Sequence, residues 1–219
     1  MGRLLLAPRL IGRRKSPPSY VHTTGPAITT DLSEYTFSSV DISDAGNRIV
    51  VVGIMSLRSA AGTANLTSVT IAGVSASVEV VSASGGRQIC AIATASVPTG
   101  TTGDIVVTFD QTMARCVIAV WAAYDLNSAT AVDTASSTAD PASLDVDTQT
   151  AGLIFAVAYN NGGGTATWTG ITEQFDTTSE AALVTAADAT VATGETPRTV
   201  ECDYSSADTE RVGVSASFR

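Results

Sequence analysis

After residue 30 the chain is a succession of short segments in which apolar and polar side chains alternate with a period of two, separated by turn residues. The last is the cleanest. Val212, Val214, Ala216 and Phe218 fall on one face, and Gly213, Ser215 and Ser217 on the other. A second such segment puts Val74, Ala76, Val78 and Val80 opposite Ser75, Ser77 and Glu79. Three runs are apolar on both faces: RIVVVGIMSL at 48–57, RCVIAVWAAY at 115–124 and GLIFAVAY at 152–159. They predict central strands covered from two sides. Further strands are predicted over 34–42, 65–72, 88–97, 104–109, 142–148, 181–187 and 198–204, with one or two more over 165–175, broken at Gly170. Turns fall at Gly73, Gly85-Gly86, Pro98-Thr99-Gly100 and the Asn160 to Gly164 loop. No segment sustains a 3.6-residue stripe over three turns. Residues 181–192 come nearest, weakened by Thr185, Thr190 and Val191. The pattern predicts an all-β fold, an antiparallel two-layer jelly-roll-like sandwich over residues 30–219. Its large core anchors are Phe37, Phe109, Trp121, Tyr124, Phe155, Tyr159, Trp168, Phe175 and Phe218.

The first nineteen residues, MGRLLLAPRLIGRRKSPPS, do not follow this pattern. They carry Arg3, Arg9, Arg13, Arg14 and Lys15 and no acid, a net +5. The rest of the chain sets the remaining seven arginines against all 21 acids, a net −14. Residues before proline are pushed out of the helical region, so Pro8, Pro17, Pro18 and Pro26 predict an extended arm and linker over 1–29. The apolar part of the arm is interrupted by Pro8 and Arg9, and its strongest basic cluster follows that part. A signal peptide has the opposite order. The arm therefore predicts protein docking. Leu4, Leu5, Leu6, Leu10 and Ile11 would enter a neighbouring apolar surface, and the five cations would pair with acidic groups there.

Composition adds limits. Ser and Thr make up roughly a quarter of the chain, far from the usual globular mixture. Phosphates would be repelled by the acidic body, which argues against nucleic acid as a partner, and five cations spread along the arm are a weak patch for it. No apolar run approaches the ~18 residues of a membrane-spanning helix. Cys90, Cys116 and Cys202 have no short spacing and lie in predicted strands, so they read as buried thiols rather than a disulfide framework.

Candidate chemistry is sparse. His22 is the only histidine, and a triad or a histidine-based metal site would need partners the sequence does not bring near it. Asp140, Asp145 and Asp147 cluster, as do Asp41 with Asp44 and Glu173 with Asp176. No spacing assigns them to a glycosidase pair or a calcium loop, and solvated acidic faces account for them. No catalytic residue, metal or cofactor is expected. Asn160, Asn161, Trp168 and Tyr204 are the candidates for contact with a glycan, with Trp168 as a stacking platform or, alternatively, a core residue.

Five stretches carry a resemblance: TDLSEYTFSSVDI at 30–42, RIVVVGI at 48–54, SVTIAGVSA at 68–76, VPTGTTGDIVVTF at 97–109 and ATWTGITEQFD at 166–176. The body resembles β-sandwich virion proteins of tailed phages of marine and alphaproteobacterial hosts. The resemblance implies a structural role as capsid decoration, head fibre or tail component, assembled in the host cytoplasm into the virion. It implies no catalytic residues. The expectation is a non-enzymatic, oligomeric virion protein whose arm binds capsid or tail subunits. A carbohydrate-binding module for host-surface glycans is the alternative, and a glycan-cleaving enzyme using two of the acids a more distant one.

Overall fold

The computed structural model describes residues 17–206, 208 and 210–219, and among these every regular element is a β-strand. The arm residues Arg3, Leu4, Leu5, Leu6, Arg9, Leu10, Ile11, Arg13, Arg14 and Lys15 lie outside the described residues.

The strands are β1 (Ser19–Thr24), β2 (Ala27–Ile28), β3 (Leu32–Asp41), β4 (Arg48–Leu57), β5 (Leu66–Ile71), β6 (Val74–Ser75), β7 (Ser77–Ser84), β8 (Gln88–Ser96), β9 (Thr102–Met113) and β10 (Arg115–Tyr124) in the first half. The second half holds β11 (Asp133–Ser137), β12 (Ala142–Ser143), β13 (Gly152–Asn160), β14 (Ala166–Thr169), β15 (Thr172–Ser179), β16 (Ala182–Val191), β17 (Glu201–Tyr204) and β18 (Arg211–Phe218). All pairings are antiparallel.

The all-β antiparallel sandwich is present, and it is built twice. Sheet order β1-β10-β4-β8-β7 faces β3-β9-β5-β6 across one core, where Tyr35, Phe37, Ile54, Ile71 and Phe109 are buried. Sheet order β11-β18-β13-β16-β15 faces β12-β17-β14 across another, where Leu144, Ile154, Leu183 and Val200 are buried. Strand for strand, β3, β4, β5, β7, β8, β9 and β10 correspond to β12, β13, β14, β15, β16, β17 and β18. The sequence echoes this at the turns after β8 and β16, VPTGTT at 97–102 and VATGET at 191–196.

The two large sheets pack back to back over a third core containing Val51, Met55, Trp121, Phe155, Tyr159, Val214 and Phe218. The result is four layers. This explains the runs with no polar face: Val50, Val52 and Ile54 of β4 serve the first core, and Val51 and Met55 the central one. β13 is shared between layers in the same way. The sheets stack in reversed order, β1 beside β15, β10 over β16 and β7 beside β11, as an isologous dimer interface would place them. At its centre Gly53 lets β4 meet β13. A Cβ there would lie 2.3 Å from Val157 Cγ1.

Several expectations change. Residues 19–28, read as linker, are strands of the sandwich, because β10 would otherwise leave its backbone edge unpaired. The face shared by Val74, Ala76, Val78 and Val80 is broken. The chain leaves the ladder at Ala76 and shifts register between Val78 and Val80, so Val74 and Val78 are exposed at 41% and 40% while Val80 packs on the central core. The nearest helix candidate, residues 181–192, instead holds β16, whose side chains are buried between layers except for Thr190. Trp168 and Phe175 are only half-buried, and Tyr35, not counted among the anchors, is fully buried with its hydroxyl donating to the Met113 carbonyl at 2.6 Å.

Candidate functional site

The proposed glycan residues do not assemble. Antiparallel pairing sets Trp168 opposite Cys202 and Ala166 opposite Tyr204, so both aromatic rings point inward onto the core between the second half's sheets. Trp168 donates its indole N–H to Thr185 Oγ1 at 2.8 Å, and Tyr204 is 5% exposed. Asn160 is fully buried and closes its own loop, donating to the Gly163 and Ser206 carbonyls at 3.4 and 3.2 Å. Asn161 donates to Glu210, which also accepts from Gln88 and pairs with Arg87. All four are therefore held in the fold by packing or hydrogen bonds, and no stacking platform results.

Several of the candidate acids are likewise engaged. Asp140 accepts from the Tyr204 amide and pairs with Arg211 at 3.4 Å, Asp145 accepts from the Val200 amide, and Asp176 from the Ala166 amide. Among the described residues no group of three or more His, Cys, Asp or Glu side chains is arranged to hold a metal ion. The three cysteines are free and buried, and burial pushes their thiols above the ordinary range.

The chemistry that is concentrated lies where the N-terminal strand meets the far half. Asp188, on β16, is wholly buried on the face toward the central core. Its carboxylate accepts from Trp121 Nε1 of β10 at 2.7 Å, from Gln174 Nε2 of β15 at 2.9 Å and from the Tyr20 hydroxyl of β1. His22, two residues along β1 on the same face, stacks between Trp121 and Phe175, with ring centroids at 5.6 and 5.8 Å. Tyr20 packs edge-on against Phe155 at 5.6 Å. Gly25 permits the close approach of Phe175, whose Cε1 would lie 2.8 Å from an added Cβ.

Burial raises the Asp188 pKa, and the hydrogen bonds from Tyr20, Trp121 and Gln174 oppose the rise. Burial lowers that of His22 from 6.5, opposed by the Asp188 charge. Burial and Asp188 together push the Tyr20 phenol up. The carboxylate has no solvent-facing edge, so the cluster's chemistry is directed inward. It ties β1, in one half, to β15 and β16, in the other. Sequence reading left His22 without partners and did not single out Asp188. The available signal was one acid in the apolar run LVTAADATV at 183–191.

Linkage gives a testable slope. His22 holds its proton less tightly when folded, so its contribution is present above about pH 6.5 and lost as pH falls through the folded value. Asp188 has the opposite sign, losing stability as pH rises through its raised folded value. His22→Phe keeps the aromatic packing and removes only the histidine contribution. Urea midpoints measured between pH 8 and 5.5 should fall more steeply for the native chain than for His22→Phe. Parallel curves would remove the claim.

Beside this cluster two surface depressions meet at Thr190. One, of about 310 Å³, is bordered by Tyr20, Thr172 and Arg198. The other, of about 400 Å³, is bordered by Pro17, Pro18, Ala151, Val191 and Ala192. The basic arm joins the body at this second depression. These features define a duplicated β-sandwich with a buried polar latch at the root of its N-terminal strand. Comparison with known proteins returns no matching family model, no similar curated protein and no similar solved structure.

Proposed function

We propose that the chain is a structural, non-catalytic component of a viral particle, docked on other virion proteins through its N-terminal arm and displaying the double sandwich outward. The observation that carries this reading is the construction of the arm's root. β1 continues directly from the arm, is hydrogen-bonded along β10, and is latched through Tyr20 to Asp188 of the opposite half. A load on the arm is thereby spread over both sandwiches rather than peeling an edge strand. The charge division and the resemblance of the body to phage virion sandwiches support the same reading.

Deleting residues 1–16 while keeping β1 tests the proposal. The truncated chain should keep the cooperative urea transition of a folded body and be missing from purified particles. Incorporation at the full-length level would overturn the docking role.

A further inference from the structure

The depression at the arm's root has the chemistry to receive an arm. Its lining is mostly aliphatic, with Pro17, Pro18, Ala151, Gly152, Val191 and Ala192 beside a single polar side chain, Thr190. Its volume of about 400 Å³ is within the range of ordinary ligand sites. Sixteen residues precede Pro17, and residues 4–6 are its most apolar stretch.

We propose that Leu4, Leu5 and Leu6 of one copy seat in this depression on a second copy of the chain. The inference rests on the reading of the arm as a docking element and adds its partner and receiving surface. Two features favour the second copy over the arm's own body. A Pro-Pro pair is stiff, which disfavours the sharp reversal an arm would need to enter the depression that its own Pro17 and Pro18 border. Leu5 is twelve residues from Pro17, an extended reach of ~40 Å. A body of this size is on the order of 40 Å across, so that reach matches the step to a neighbouring copy. Charge favours the contact as well, since an arm of +5 meets a body of −14. Because the depression sits at the root of each arm, every copy can both give and receive.

Cross-linking separates the possibilities. Leu5→Cys and Ala192→Cys are placed in separate full-length chains of distinguishable mass. Cys90, Cys116 and Cys202 are buried, so the new thiols are the reactive ones, and Ala192 is exposed, so its replacement spares the core. Mild oxidation of the mixture should give the mixed disulfide. Ala192→Arg, which fills the depression and repels the arm's cations, should weaken self-association of the full chain by at least about tenfold in sedimentation, as should deletion of residues 1–16. Absence of the mixed disulfide would overturn the proposal. So would an intramolecular disulfide in a single chain carrying both cysteines at high dilution, which would show the arm in its own depression. Particle incorporation is scored separately. A full chain that stays monomeric yet enters particles would overturn the copy-to-copy contact and leave the docking function standing.

Discussion

Asp188→Ala is expected to lower the free energy of unfolding by about 3–5 kcal/mol. The substitution removes the acceptor shared by Tyr20, Trp121 and Gln174. The indole N–H of Trp121 is fully buried, so its unpaired donor carries the full cost of desolvation. The same change unties β1 from the second half, so hydrogen exchange at residues 19–24 should accelerate more than exchange in β4 or β13. Asp188→Asn, which keeps one accepting oxygen, should cost less than the alanine. A loss under about 1 kcal/mol in Asp188→Ala, measured by urea unfolding, would mean that the latch does not hold the halves together.

Arg48→Met is expected to cost about 2–4 kcal/mol. Arg48 is 1% exposed, and it has no carboxylate partner among the described residues. Instead its guanidinium donates to six carbonyls. Those of Ile42, Ser43 and Asp44 lie in the connection before β4, and those of Val97, Thr99 and Gly100 in the turn after β8. One side chain thus closes one end of the first sandwich. Methionine fills similar space but offers no donor, which leaves those acceptors to water. The expected signature is a lower urea midpoint with faster exchange confined to residues 42–47 and 97–101. An unchanged midpoint would assign the clamp no structural role.

Sequence pattern carried much of the fold because burial on two faces leaves a plain mark. Residues 48–57, 115–124 and 211–218 have the same bounds in the sequence pattern and in the structure, since each run stops at a charged residue, Arg58, Asp125 or Arg219. Edge elements were less legible. β1 is polar on one side and short, and β11 (DTASS) is so poor in apolar residues that only its pairing to β18 defines it. The bulge after Val78 was hidden as well, because alternation in sequence does not reveal a register shift. It frees Glu79 to accept from Thr94 and from the Ala131 amide.

The duplication was present in the chain, in VPTGTT and VATGET, but most equivalent positions share only size or polarity. Arg48 in one half corresponds to Gly152 in the other, and Thr94 to Asp188, so the repeat has been overwritten where the halves differ in role. The latch was missed for a related reason. Its members come from residues 20–22, 121, 174 and 188, and only the stacking of one half on the other brings them together. For Trp168 and Tyr204 the sequence left both a glycan contact and a place in the sandwich open, and the β14–β17 pairing, which turns both inward, favours the second.

The proposed function makes this chain a surface-displayed structural part held by its N-terminal arm. Electron cryomicroscopy of purified particles carrying a C-terminal tag on this chain tests it most directly. Copies of the double sandwich are expected at regular positions on the particle exterior, with density for residues 1–16 running into neighbouring subunits. Particles that lack the chain, or that hold it with no contact through the arm, would overturn the proposed function.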